Sequence, residues 1–209
     1  CYLAFFLRKL YWLQGECCYL LRCLLKSCLK KCTKEFEILE RDTTPLKAVV
    51  EKSFTRYTYK EAIVKLQELG SDIKDGEDLG NDDEGMLTKD SDVPVFIEKW
   101  PSAIKPFYMK IDPDDSAIAL CDDLIGIEGA GEIIGGSQRE DDFDALLERI
   151  KEDGLDEKEY EWYTDLRKYG AVPHSGFGIG VERMVRWMSG VAHIRECIPF
   201  PRTVNRIKP

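Results

Sequence analysis

The sequence is poor in histidine, with only His174 and His193 among 209 residues, and none of its eight cysteines forms a Cys-x-x-Cys pair. A zinc site has little to be built from, because zinc draws on closely spaced thiolates and imidazoles. The usual glycine-rich phosphate loops are missing too. No Gly-x-x-x-x-Gly-Lys-Ser/Thr run occurs, which excludes a P-loop. No Gly-x-Gly-x-x-Gly turn opens a helix after a strand, which argues against a dinucleotide-binding fold. Uninterrupted apolar stretches are short. Residues 1–32 are the most apolar, but Arg8-Lys9 and Gln14-Gly15-Glu16 break them, so nothing reaches the ~20 residues of a membrane helix. No charged region precedes that stretch, as it would in a signal peptide. A basic surplus is absent as well. The net charge of −9 excludes a broad basic face for nucleic acid and leaves only local RNA contacts.

What is present reads as a globular protein. With 44% hydrophobic and 33% charged residues, 209 residues suffice for one well-cored domain rather than a disordered chain. The first residue is Cys1 and not methionine, so the chain is expected to be a fragment or an incomplete reading of a gene. Cys1, Cys17, Cys18, Cys23, Cys28 and Cys32 crowd the first 32 residues, leaving Cys121 and Cys197 for the remainder. With no address for an oxidising compartment, they are expected to be buried free thiols. Arg8, Lys9, Arg22, Lys26, Lys30 and Lys31 face one acid, Glu16, in the same segment. Leu20, Leu21, Leu24, Leu25 and Leu29 fall near helical spacing, which predicts an amphipathic helix over 16–32 turned toward a core. Residues 1–32 are thus set apart as a basic, cysteine-rich segment, and 33–209 as the main domain.

Downstream the signals are ordinary. Thr58-Tyr-Lys-Glu61 is a capping box, and Ala62, Ile63, Leu66 and Leu69 form one apolar stripe ended by Gly70. The acidic stretch Ser71–Asp92 reads as a solvated loop or short helix. Strands are predicted at Pro94–Ile97, Phe107–Ile111, Ile118–Ile125 and Glu132–Ile134, with turns at Asp112–Asp115 and Glu128–Gly131. Helices are predicted over about 140–152 and 156–169. Short turns between successive strands imply an α+β fold, an antiparallel sheet flanked by helices.

The most informative stretch is His174-Ser-Gly-Phe-Gly-Ile-Gly-Val-Glu-Arg-Met-Val-Arg-Trp187. Gly176, Gly178 and Gly180 alternate along a strand that runs into a helix, so something flat or bulky is expected against that backbone. Arg183 falls in the helix's first turn, against the helix dipole, a placement that makes sense if an anion meets it.

Gly176–Arg183 resembles motif 3 of the class II aminoacyl-tRNA synthetases. Gly131-Glu-Ile-Ile-Gly-Gly-Ser-Gln-Arg-Glu140 and Ile198-Pro-Phe-Pro-Arg202 resemble the aspartyl/asparaginyl branch, and within it the archaeal-type asparaginyl enzymes. The similarity runs from about Glu35 to Pro209. It implies ATP-dependent activation of asparagine to an adenylate, followed by transfer to tRNA, with ATP and Mg2+ bound and no covalent enzyme nucleophile. On that resemblance Asp123 and Glu132 hold magnesium, with Asp122 competing with Asp123 because neighbours on a strand face opposite ways. Glu132, Gly180, Val181, Glu182 and Arg183 form the ATP site, with Glu132 and Arg183 as the catalytic pair. Gly135 and Arg139 meet the amino acid, Gly135 and Gly136 leaving room for it. Arg139 suits a carboxylate or an amide oxygen, so aspartate stays open as an alternative to asparagine. His174 and His193 are expected to be local hydrogen-bonding residues, and Glu140 a helix N-terminal charge.

The resemblance also implies a cytoplasmic homodimer, with tRNA as partner and no membrane contact, wherever motif 1 is present. Neither motif 1 nor motif 2 is in this sequence, nor is the family's anticodon-binding barrel. Residues 1–15 lack the acids that follow motif 2 in asparaginyl enzymes. The 209 residues alone are therefore expected to charge tRNA weakly or not at all. An aspartyl-specific or asparagine-synthesising relative, and a non-catalytic binding module, remain alternatives.

Overall fold

The computed structural model describes residues 10–208, with side chains described from Leu13 onward. Five strands form one sheet in the order β1 (Thr55–Thr58), β2 (Val95–Pro101), β3 (Ile118–Gly126), β4 (Gly131–Gln138) and β5 (Ser175–Ile179). The last four pair antiparallel. β1, absent from the sequence-based strands, pairs parallel with β2, so the sheet is mixed rather than wholly antiparallel. The reason is the connection: a parallel pair needs a long crossover, and α4 (Tyr59–Glu68) and α5 (Asn81–Thr88) supply it.

Strand alternation sorts the chain into two layers. Against one face lie α1 (Leu10–Lys31), α3 (Thr44–Glu51) and α8 (Val181–Ser189). Leu13, Cys17, Leu21 and Leu25 of α1 are fully buried there, in a core with Phe96, Leu124, Phe177, Met184 and Trp187. Helix α1 thus begins before residue 16, and its buried stripe follows strict i, i+4 spacing. It shares this core with the sheet; residues 1–9 of the basic segment lie outside the described residues. The other face packs against α4 and α5, through Tyr59, Ala62, Ile63 and Leu66 on Val95, Ile97, Trp100, Cys121 and Ile125. The capping box starts α4 as expected, with Thr58 accepting from the Glu61 N–H and Glu61 from the Thr58 N–H.

Phe107–Ile111 does not form a strand. Only isolated bridges tie Met109 to Arg139 and Ile111 to Ala119. Its apolar residues are used elsewhere: Phe107 packs with Leu146 and Ile150 of α6 (Phe143–Glu152), edge-on to Tyr160 and Tyr163. The predicted 156–169 helix is a 3-10 turn over Glu157–Tyr160 followed by α7 (Glu161–Lys168). The seven described cysteines are free thiols, but only Cys17 and Cys121 are buried; Cys23 is exposed. Among the described residues no helix is long and apolar enough to cross a membrane.

Candidate active site

On the α4/α5 side, a cavity opens over the sheet where β3, β4 and β5 run together. Asp123 pairs with Gly135, and Gly135 with Gly178, so a carboxylate and two glycines form one row across three strands. Above that row the cavity measures about 460 Å3 and is lined by Lys105, Asp123, Glu132, Gly135, Arg139 and Arg183 among others. Glycine at the centre of the row leaves room for two carboxylates. A β-carbon on Gly135 would lie 2.5 Å from Glu132 Oε1 and 3.3 Å from Asp123 Oδ1. Gly136 faces the other way, where a β-carbon would meet Leu13 Cδ2 at 2.7 Å. Its missing side chain therefore makes room for α1, while its backbone lines the cavity beside Gly135.

The same alternation resolves the choice between the two aspartates. Asp123 faces the cavity, whereas Asp122 is buried on the α1 face beside the buried Gln14. Burial, reinforced by Asp123, drives Asp122 well above the ordinary carboxylate range, so a neutral acid accounts for its place in the core. Asp123 is also pushed up by burial, against the opposing pull of Lys105, whose Nζ donates to Asp123 Oδ2 at 2.8 Å. Glu132 is raised to about 7, first by burial and then by the Asp123 charge.

Arg183 projects from the first turn of α8 and donates through Nη1 to the Glu132 carbonyl at 2.5 Å. It lines both this cavity and a second one beside Gly129–Gly131 and Arg186. Arg139 donates to Ser137 Oγ at 2.9 Å and to the Gly176 carbonyl at 3.3 Å, with its guanidinium 4.7 Å above the Tyr108 ring. The structure thus brings together Asp123, Glu132, Gly135, Arg139, Gly180 and Arg183. Val181 and Glu182 stand outside the cavity wall, and Val181 is exposed. His174 Nδ1 contacts the Val172 carbonyl, and His193 accepts the Arg195 N–H, so both do local work. Glu140 accepts from the N–H groups of Asp141 and Asp142 just ahead of α6 and pairs with Lys110.

Three residues of the site carried no sequence signal. Lys105 and Asp78 line the cavity, and Glu84 stands behind it. Glu84 lies in the stretch expected to be solvated, yet it is 8% exposed and accepts the Glu132 N–H at 3.0 Å. Only the α5 register, which also buries Leu87 and Thr88, reveals it.

A flat row of glycines, a cluster of carboxylates and two arginines at the far wall suit a polyanionic nucleotide with a hard cation. The family model of tRNA synthetases class II (D, K and N) matches residues 11–204. The chain belongs to this family. Its sequence is 50% identical to the asparagine–tRNA ligase of Lactobacillus johnsonii over 186 residues, 89% of this chain and 43% of that enzyme. Asparaginyl-tRNA synthetase of Pyrococcus horikoshii, solved with asparaginyl-adenylate, superposes with a TM-score of 0.94 at 47% identity, over 100% of this chain and 48% of that one. The Entamoeba histolytica asparaginyl-tRNA synthetase, also solved with asparaginyl-adenylate, gives 0.88 at 31% identity, over 100% and 48%. The chain therefore spans a little under half the length of these class II synthetases, and the mixed sheet with flanking helices is the fold they share. The family match begins inside α1, in the helix whose buried stripe completes the core.

Proposed function

We propose that this chain is the ATP- and amino-acid-binding part of an asparagine–tRNA ligase. The observation that carries the reading is the row Asp123–Gly135–Gly178 beneath a cavity walled by Glu132, Arg139 and Arg183, in a chain similar to synthetases solved with asparaginyl-adenylate. Arg183 binds the outer phosphates, and Gly178 and Gly180 let adenine or ribose lie against bare backbone. Arg139, held by Ser137 and stacked on Tyr108, turns its remaining donors to the side-chain oxygen of asparagine.

The donor set fits magnesium. Asp123 Oδ1 and Glu132 Oε1 converge above Gly135, and among the described residues no group of three or more His, Cys, Asp or Glu is arranged to cage a metal. Magnesium keeps waters and phosphate oxygens and takes few protein carboxylates, so two suffice. Held by Asp123 and Glu132, the ion would neutralise phosphate charge in a reaction in which the asparagine carboxylate displaces pyrophosphate from the α-phosphate. The chain's own contribution is to hold the two reactants in line and to stabilise charge on the phosphates through Arg183. In the whole protein the acyl group passes to tRNA, in a cytoplasmic homodimer without membrane contact.

The test is selectivity for non-hydrolysable adenylate analogues. The asparaginyl sulfamoyl-adenylate is expected to bind this chain at least about tenfold more tightly than the aspartyl one by calorimetry. Arg139→Ala should weaken it at least tenfold, one lost charge-assisted contact. Preference for the aspartyl analogue would move the reading to an aspartate-using relative. Binding of neither would favour a non-catalytic module.

A further inference from the structure

Lys105 sits where no residue of the predicted site was expected, and its surroundings fix it from three sides. It follows the 3-10 turn Ser102–Ile104 at the end of β2. Arg149 of α6 donates to the carbonyls of Ser102 at 3.3 Å and of Lys105 itself at 3.1 Å, which ties this backbone to the helix layer. The ammonium lies 3.6 Å from the centre of the Trp100 ring, and that ring is held by its own indole N–H donating to the Ile97 carbonyl. From there Nζ reaches Asp123 Oδ2 at 2.8 Å, in a pair whose side chains are 11% and 10% exposed.

The two oxygens of Asp123 are thereby divided. Oδ2 is taken by Lys105, and Oδ1 lies over Gly135 beside Glu132 Oε1. Without the lysine the carboxylate could turn about its terminal torsion, and nothing else among the described hydrogen bonds of Asp123 would hold it. We propose that Lys105 is a positioning residue for the divalent cation: it locks Asp123 so that Oδ1, and not Oδ2, faces the metal position shared with Glu132. This rests on the nucleotide-site reading above. A partner that orients a metal ligand without touching the metal typically controls affinity by about 10–100-fold. An ammonium that competed with the cation for the carboxylate would instead make metal binding tighter on its removal.

The experiment is Mn2+ binding, followed by electron paramagnetic resonance with and without ATP, in the wild-type chain and in Lys105→Met, Lys105→Arg and Asp123→Asn. Methionine keeps the stem over Trp100 and removes the charge. Lys105→Met is expected to weaken Mn2+ by about 10–100-fold, with and without ATP. Lys105→Arg should recover most of the loss, and Asp123→Asn should abolish the site. Unchanged or tighter Mn2+ binding in Lys105→Met, with Asp123→Asn still abolishing it, overturns the positioning role alone. Mn2+ binding that ignores Asp123→Asn, or is absent from the wild type, overturns the role and the site reading together. If the methionine variant does not fold, acylation of wild-type Lys105, read by mass spectrometry, decides. The ammonium should stay as slow to label with Mn2+ and ATP bound as without them, and faster labelling overturns the proposal.

Discussion

Glu132→Gln is expected to make the folded protein more stable above neutral pH while removing its magnesium-dependent ATP binding. Glu132 is half-buried beside Asp123 and Glu84, and its carboxyl is raised from 4.5 to about 7. Below 4.5 the group is protonated in folded and unfolded chains alike and costs nothing. Between 4.5 and about 7 the unfolded chain gives up the proton and the folded one keeps it, so stability falls as pH rises through this window. Above about 7 the loss is complete. At about 1.4 kcal/mol per pKa unit, it amounts to about 3 kcal/mol. Glutamine keeps the shape and cannot ionise. Urea unfolding should therefore show the variant more stable by up to about 3 kcal/mol at pH 8 and equal to wild type at pH 4. A variant less stable at pH 8 would mean that the Glu132 charge is satisfied within the fold. The loss of function follows because an amide is a poor ligand for a hard cation in a site with only two carboxylate donors.

Arg183→Ala should lower ATP affinity by about a hundredfold, the equivalent of about 3 kcal/mol for one charge-assisted contact in a partly buried site. Nη1 is spent on the Glu132 carbonyl, leaving the other donors of the guanidinium for a ligand. Its place in the first turn of α8, where the helix dipole disfavours a cation, is offset by the nearby Glu84 and Glu132 carboxylates. The fold should survive: the change leaves one carbonyl without a donor, a cost of about 1 kcal/mol. A fluorescent ATP analogue gives the affinity and circular dichroism the fold. Wild-type affinity in a folded Arg183→Ala would remove the phosphate-binding role from this residue.

Motifs with a backbone requirement could be read from the sequence. The alternating glycines of β5, the Thr58–Glu61 capping box and the Glu132-Ile-Ile-Gly-Gly run each need their residue types for local reasons, and each falls where expected. What could not be read depends on pairing. β1 is four residues long and exists through its parallel ladder with β2. Phe107–Ile111 has strand composition, but α6 claims its aromatic side chain. The faces of Asp122 and Asp123 follow only from the β3–β4 register, as does the side on which Gly136 lacks a side chain. Lys105 and Glu84 are ordinary charged residues in sequence. They become part of the site only because a turn after β2 and the helix α5 deliver them from 18 and 48 residues away from their partners.

The central claim is a nucleotide site that depends on a metal. The cavity sets Asp78, Asp123 and Glu132 against Lys105, Arg139 and Arg183, and one of those cations is already paired to Asp123. Such a wall cannot neutralise a polyphosphate by itself. Calorimetric titration of ATP into the wild-type chain, with magnesium and then with a chelator, tests this most directly. Saturable one-site binding that appears with magnesium and vanishes without it is the predicted result; ATP binding equally well in both conditions, or in neither, would contradict the account.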